Sequence, residues 1–516
     1  MKQRQSIAVL VAIAAIVGAC AGTDWDEENQ SLPETHSPPV AEHPSATLIP
    51  PNSEPYPDVY FDNPGVSPFI DSEDDPLSTF ALDVDTGSYT VARRYLADGF
   101  LPEPDSVRVE EYVNYFDQGY PMPDPEDGLG LFVDGGVTPF VQSVRSRVIR
   151  IGVQAAEPDA WTRPDANLVF VIDTSGSMER ENRLELVKEA LTMMLRELRP
   201  TDTLSVVEYG SHARLVLPPT RIDDGFHIEE AIRSLRPGGS TNAASGLELG
   251  YRAAAEGYRP GGINRVILCS DGVANFGEAT DAEGILDLIA RDALRGIHLV
   301  TAGFGMGNYN DVLMEQLADR GNGLYAYIDD LDEAHRLFVQ DLSGTLQTVA
   351  MDARIQVEFD PLGVQSWRLI GFENRAMSDE RFRDDSTDAG EVGAGHTVTA
   401  LYEVKPTPEA EDGVTGLGAV HLRWIDPETR EPREVARPLS MTDLAADFGS
   451  TDPHFQLSVV VAQYAEILRE SVWADQIGVD MDDIAEHADR VGRLLSENRD
   501  VAEFVELVRR AAWLEG

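Results

Sequence analysis

The stretch Leu168-Val169-Phe170-Val171-Ile172-Asp173-Thr174-Ser175-Gly176-Ser177 decides the fold. Five apolar residues in a row mark a strand buried on both faces. They run directly into Asp173, Ser175 and Ser177, three short oxygen-bearing side chains that alternate with other residues in one tight turn, and Gly176 lets that turn close. An amphipathic helix then extends from about Arg183 to Leu198, with Leu184, Val187, Leu191, Met194, Leu195 and Leu198 on one side.

Downstream the alternation continues. Thr203 to Glu208 reads as a strand, and an edge strand near Leu215 to Leu217 is expected to end at Pro218-Pro219. Helices are expected over about Gly225–Leu235 and Ala243–Glu256, a buried strand over Arg265–Cys269, and a helix over Asp281–Leu294. Ile297–Ala302 is a strand, Tyr309–Arg320 a helix and Leu324–Ile328 a last strand. Strand and helix alternating in this way predict an α/β domain over residues 161–348 with a doubly wound, mostly parallel sheet. Ligands of such sheets bind beyond the carboxyl ends of the strands. Two further polar loops fall there: Gly238-Gly239-Ser240-Thr241-Asn242 before a helix, and Ser270-Asp271-Gly272 after a strand. Asp173, Ser175, Ser177, Thr241 and Asp271 are hard oxygen donors and suit Mg²⁺, or Mn²⁺. Three hydroxyls and two carboxylates leave such an ion electrophilic, with one position free for a carboxylate from a partner.

These three elements, in this order, resemble the metal-ion-dependent adhesion site of von Willebrand factor type A domains. The resemblance implies a Rossmann-like fold in which Ser175, Ser177 and Thr241 bind the ion directly. Asp173 and Asp271 then act through water or hold the serines in place. Four further motifs are similar to a bacterial subfamily of such proteins: Phe80-Ala81-Leu82-Asp83-Val84-Asp85-Thr86, Asn114-Tyr115-Phe116, Gly305-Met306-Gly307-Asn308-Tyr309-Asn310-Asp311 and Glu391-Val392-Gly393-Ala394-Gly395-His396. Its members carry a signal peptide, an N-terminal domain of their own, the type A domain and a C-terminal domain of unassigned function. The chain departs from the subfamily at Val273, where an acidic residue often follows the Asp-Gly of the third loop.

The N-terminus reads as an address. Lys2 and Arg4 precede an apolar or small run, Ile7 to Ala19, that is shorter than the roughly 20 residues needed to span a bilayer. It ends in Val17-Gly18-Ala19-Cys20, which resembles a bacterial lipobox and implies that Cys20 is lipidated after cleavage. Residues 1–20 are thus expected to be a lipoprotein signal peptide. Residues 21–76, rich in Pro, Ser, Thr and acids, are expected to be a disordered, extended tether.

Around the type A domain the pattern is β. Residues 77–125 read as a small α/β N-terminal domain. Leu131–Val141 and Arg147–Val153 alternate as strands within 126–160, and Ala353–Phe359, Trp367–Gly371, Thr397–Val404, Ala419–Trp424 and Arg433–Leu439 do so within 349–445. Both sets are expected to form one β-sandwich, with the type A domain inserted between its strands. Residues 446–516 read as a helical C-terminal segment. There Phe455, Val459, Ala462 and Ala465–Ile467 share one apolar face, and Val501, Phe504, Val505 and Val508 share another.

Charge and absent motifs narrow the function. A net charge of −49, with three lysines (Lys2, Lys188 and Lys405) in the whole chain, excludes nucleic acid as a partner. Asp85-Thr86-Gly87-Ser88 imitates an aspartic protease loop, but no second copy exists in a matching β context to share a proton. Asp83 and Asp85 instead suit turn capping or a second ion. The ten histidines show no metal-ligand spacing, and no nucleophile elbow or Walker loop is present. Cys269 lies within a buried strand and reads as inert core. The expectation is a binding protein rather than an enzyme, with no catalytic residues. It would sit in the cell envelope, outside the cytoplasm, anchored to the membrane by its lipid, and dock a partner protein's carboxylate on the metal. The alternative is an envelope assembly or chaperone-like factor that uses the type A domain as a scaffold.

Overall fold

Strand Ala166–Asp173 lies at the centre of the type A domain, and every residue in it is buried. The computed structural model describes Tyr56, Val59 and residues 61–515, apart from 142, 144, 159–162, 273–278, 294 and 307–309. The central sheet runs Tyr325–Ile328, His298–Phe304, Ile263–Ser270, Ala166–Asp173, Thr203–Tyr209, Ala213–Arg221. Its pairs are parallel except the last. Successive side chains of a strand point to opposite faces, so Leu168, Phe170 and Ile172 enter one core and Val169 and Val171 the other. Helix Arg183–Met194 covers the first face; helix Ala243–Glu256 covers the second. Asn242 caps the latter, its side chain accepting from Ser245 N.

The edge strand runs through Pro218 and Pro219, four residues beyond its expected end, to Arg221. The ladder to Thr203–Tyr209 is irregular between Val206 and Leu204. A proline costs no ladder bond where its missing N–H would face away from the partner, as an edge allows.

The segments that flank this domain in sequence meet in space. Arg147–Ala155, before it, pairs antiparallel with Thr397–Pro406, after it. Together with Ile70–Asp71, Val364–Ile370, Leu129–Gly136 and Leu444–Ala445 they make a six-stranded sheet. The first flanking strand thus ends at Gly136 rather than Val141. A third sheet joins Gly390–Gly393, Thr348–Phe359, Gly418–Ile425 and Pro432–Leu439, and shares one core with the second.

Three further expectations are corrected. Residues 77–125 do not form a domain of their own: Leu77–Ala81 pairs with Thr348–Phe359. The helices Gly87–Asp98 and Val109–Asn114 share a core with the C-terminal helices Pro453–Leu468, Met481–Leu494 and Arg499–Glu515. Each segment alone is too short to bury its apolar face. Helix Pro453–Leu468, expected to bury one face, is buried almost all round. The tether also ends earlier than Pro76, because Val59 and Phe61 are buried against the type A core and Ile70–Asp71 is a strand. Cys20, the signal segment and the tether up to residue 55 lie outside the described residues. Among the described residues no helix is long and apolar enough to cross a membrane.

Candidate metal centre

Asp173 ends its strand fully buried, and its Oδ1 accepts from Ser175 N at 2.7 Å. This Asx turn reverses the chain at once. Its Oδ2 accepts from Ser270 Oγ at 3.1 Å, which ties the first loop to the end of the neighbouring strand Ile263–Ser270. The hydroxyls of Ser175 and Ser177 lie 2.9 Å apart. Ser177 Oγ donates to Asp271 Oδ1 at 3.0 Å. The Thr241 loop is docked beside them through its backbone: Gly176 N donates to Gly239 O at 3.1 Å and Gly238 N to Thr174 O at 2.7 Å. Asp271 and Ser175 are buried, whereas Ser177 and Thr241 remain partly exposed.

The electrostatics follow from this packing. Burial, and then the nearby charge of Asp271, push Asp173 up to about 6. Burial also raises Asp271, against the pull of Ser177 and Arg183. Two buried carboxylates that repel one another are what a divalent cation relieves. Among the described residues no three His, Cys, Asp or Glu side chains converge as a metal cage. An ion here would rest chiefly on hydroxyl oxygen, and the donor set fits hard Mg²⁺ or Mn²⁺ rather than zinc.

Four of the five expected residues, Asp173, Ser175, Ser177 and Asp271, are joined by hydrogen bonds directly or through Ser270 and each other. Thr241 reaches the cluster through its loop. Gly176 is not the residue that the turn requires, since a Cβ there would meet only Gly239 O at 3.6 Å. The demanding position is Gly239, with φ +91°, where a Cβ would lie 2.7 Å from Ser211 Oγ. Val273 and the stretch Gly307–Tyr309 lie outside the described residues. Sequence reasoning missed Ser270 and Arg183. Arg183 carried a signal, because a cation in the first turn of a helix opposes the helix dipole and needs another partner to hold it.

Asp83 and Asp85 form no second site of this kind. Asp83 Oδ1 caps Asp85 N at 2.9 Å, and its Oδ2 accepts from Arg375 Nε at 2.8 Å. Asp85 Oδ1 accepts from Tyr325 N at 3.0 Å. The protease-like loop is therefore a turn that fastens the N-terminal segment to the type A sheet.

Comparison with known proteins agrees with this architecture. Residues 168–273 match the family model for the von Willebrand factor type A domain, and residues 56–146 match one described as von Willebrand factor. Residues 344–514 match the C-terminal part of the uncharacterized protein YfbK. The chain is 36% identical to the uncharacterized protein YfbK of Escherichia coli (strain K12) over 438 residues, 79% of this chain and 75% of that protein. An uncharacterized Synechocystis protein is 28% identical over 335 residues, 62% of this chain and 76% of that one. A solved von Willebrand factor type A structure from Catenulispora acidiphila, 16% identical, covers 76% of this chain and 91% of its own, with a TM-score of 0.44.

Proposed function

Because the chain belongs to the YfbK family and contains a von Willebrand factor type A domain, we propose that it is a binding protein that docks a partner protein through a divalent ion at Asp173, Ser175, Ser177, Thr241 and Asp271. The observation that carries this reading is the hydrogen-bonded cluster of Asp173, Ser175, Ser177 and Asp271 at the ends of two neighbouring strands, with the Thr241 loop docked beside it through the backbone of Gly238 and Gly239. Ser175, Ser177 and Thr241 would hold Mg²⁺ or Mn²⁺ directly, and the partner would supply a carboxylate to complete the coordination. Asp173 and Asp271 would orient the serines. On this reading the site binds rather than catalyses.

The same reading places the protein in the cell envelope. Cys20 would carry the lipid anchor, and the Pro-rich acidic stretch after it would lift the folded body from the membrane.

Calorimetric titration of Mg²⁺ and Mn²⁺ into the full chain, beside its Ser175→Ala/Ser177→Ala variant, tests the metal. Binding by the wild type that disappears in the variant is the expected result; equal binding by both would sink the assignment. Docking is tested by retention of a partner on the immobilised chain in Mg²⁺. Retention is expected to be lost on chelation and in Asp173→Ala.

A further inference from the structure

Arg183 opens the helix Arg183–Met194, where the helix dipole favours an anion, yet its residue is only 3% exposed. Its Nη1 donates to Asp271 Oδ2 at 2.8 Å and its Nη2 to the Met306 carbonyl. Gly305, with φ +79°, makes the room: a Cβ there would lie 2.1 Å from Arg183 Nε. On the other side, Glu181 Oε2 lies 3.7 Å from Arg183 Nη2 and 3.2 Å from Arg94 Nη2 of the helix Gly87–Asp98. Glu181 and Asn182 are consecutive non-glycine residues with φ of 51° and 58°. Such conformations cost about 1–3 kcal/mol each and persist only where the surroundings enforce them. The chain therefore spends strain, a glycine and a buried cation to hold one guanidinium against one oxygen of Asp271.

Resting on the metal reading above, we propose that Arg183 is the residue that makes the ion and an anionic ligand bind together rather than singly. Asp173 and Asp271 bring two negative charges to the site, and Arg183 cancels one. A divalent ion held there keeps a net positive charge, and a carboxylate neutralises it. Arg183 also occupies Asp271 Oδ2, leaving Oδ1 to orient Ser177. Charges this close in a partly dry site interact strongly. The coupling is reciprocal, because a carboxylate that tightens the ion is itself tightened by the same factor.

The test is calorimetric titration of Mg²⁺ and Mn²⁺ into the full chain at constant ionic strength, with acetate as the carboxylate probe and chloride as its control. Wild type, Arg183→Gln, Arg183→Lys and Ser175→Ala/Ser177→Ala are compared. Saturating acetate is expected to tighten the ion at least about fivefold in the wild type. Arg183→Gln should bind the ion about tenfold more tightly without acetate and lose most of the acetate effect. Arg183→Lys, which keeps the charge, should follow the wild type. A merely structural arginine predicts weaker binding in Arg183→Gln. Ion binding in a folded Arg183→Gln that is unchanged or weaker overturns the proposal and leaves the metal reading standing. Ion binding that survives in the double serine variant, or that is missing from both wild type and Arg183→Gln, overturns the metal reading and the proposal with it. If Arg183→Gln does not fold, the wild type decides: an ion affinity indifferent to acetate overturns the proposal.

Discussion

Arg93, in the N-terminal helix Gly87–Asp98, donates through Nε to Asp329 Oδ2 at 2.8 Å, just past the last strand of the type A sheet. The same guanidinium reaches Glu333 at 3.0 Å, Glu503 of the C-terminal helix at 3.0 Å and the Tyr115 hydroxyl at 2.8 Å. One buried side chain thus joins three parts of the chain. Asp329, pushed up to about 6 by burial, is held charged by this contact. Removing one partner of a buried pair leaves the other uncompensated, at a cost of about 3–5 kcal/mol. Arg93→Ala should lower the denaturant midpoint accordingly. Arg93→Lys should recover only part of the loss, since an ammonium cannot serve so many acceptors in one plane.

Gly305→Ala should destabilise the type A domain by about 2 kcal/mol or more. The left-handed backbone costs a β-carbon roughly 1–2 kcal/mol, and that carbon would overlap Arg183 Nε. Gly65→Ala is the control, with φ +86° but nothing within 4 Å of the new atom. Equal shifts in thermal midpoint for the two variants would show that the guanidinium simply moves aside.

Glu110 lies in the short helix Val109–Asn114, and burial, then the nearby Glu373, push it up to about 7 from its ordinary 4.5. The folded protein therefore holds a proton that the unfolded chain has released across that window. This contribution to stability is full below about pH 4.5 and is lost as the pH rises through 7. It amounts to on the order of 3 kcal/mol. Glu110→Gln cannot ionise, so it should match the wild type near pH 4.5 and exceed it at pH 8. Urea midpoints at the two pH values decide; a difference that does not change with pH would refute the assignment.

Cys269 is 1% exposed, and burial pushes its thiol well above the usual range. Only the thiolate reacts. Iodoacetamide at pH 8 should leave the Cys269 peptide unmodified in the native protein and alkylate it fully in urea, as read by mass spectrometry. Alkylation of the folded protein would mean that the strand Ile263–Ser270 opens readily.

The strand that opens the type A domain was legible because its signal is local. Leu168 to Ile172 are uninterruptedly apolar, and Asp173-x-Ser175-x-Ser177 follows at the strand end where a doubly wound sheet exposes its loops. Helix Arg183–Met194 follows from the spacing of Leu184, Val187 and Leu191. The strand through Pro218 was less legible, because proline's cost depends on whether a partner strand lies on its N–H side, and the sequence does not say which strand is an edge.

Periodicity and turn chemistry alone determined that this chain holds an alternating α/β domain and that three oxygen-rich loops fall at its strand ends. Those signals span a few residues and need no knowledge of distant neighbours. The tertiary structure decided the rest. It paired Arg147–Ala155 with Thr397–Pro406 across the whole type A domain, and it merged the N-terminal helices with the C-terminal ones. It also set Arg183 on Asp271 and Ser270 on Asp173. Each of these is a contact between residues at least 88 positions apart. Such contacts form because no short segment buries its apolar face or satisfies its buried charges alone, and the partner that does so is found only when the chain has folded.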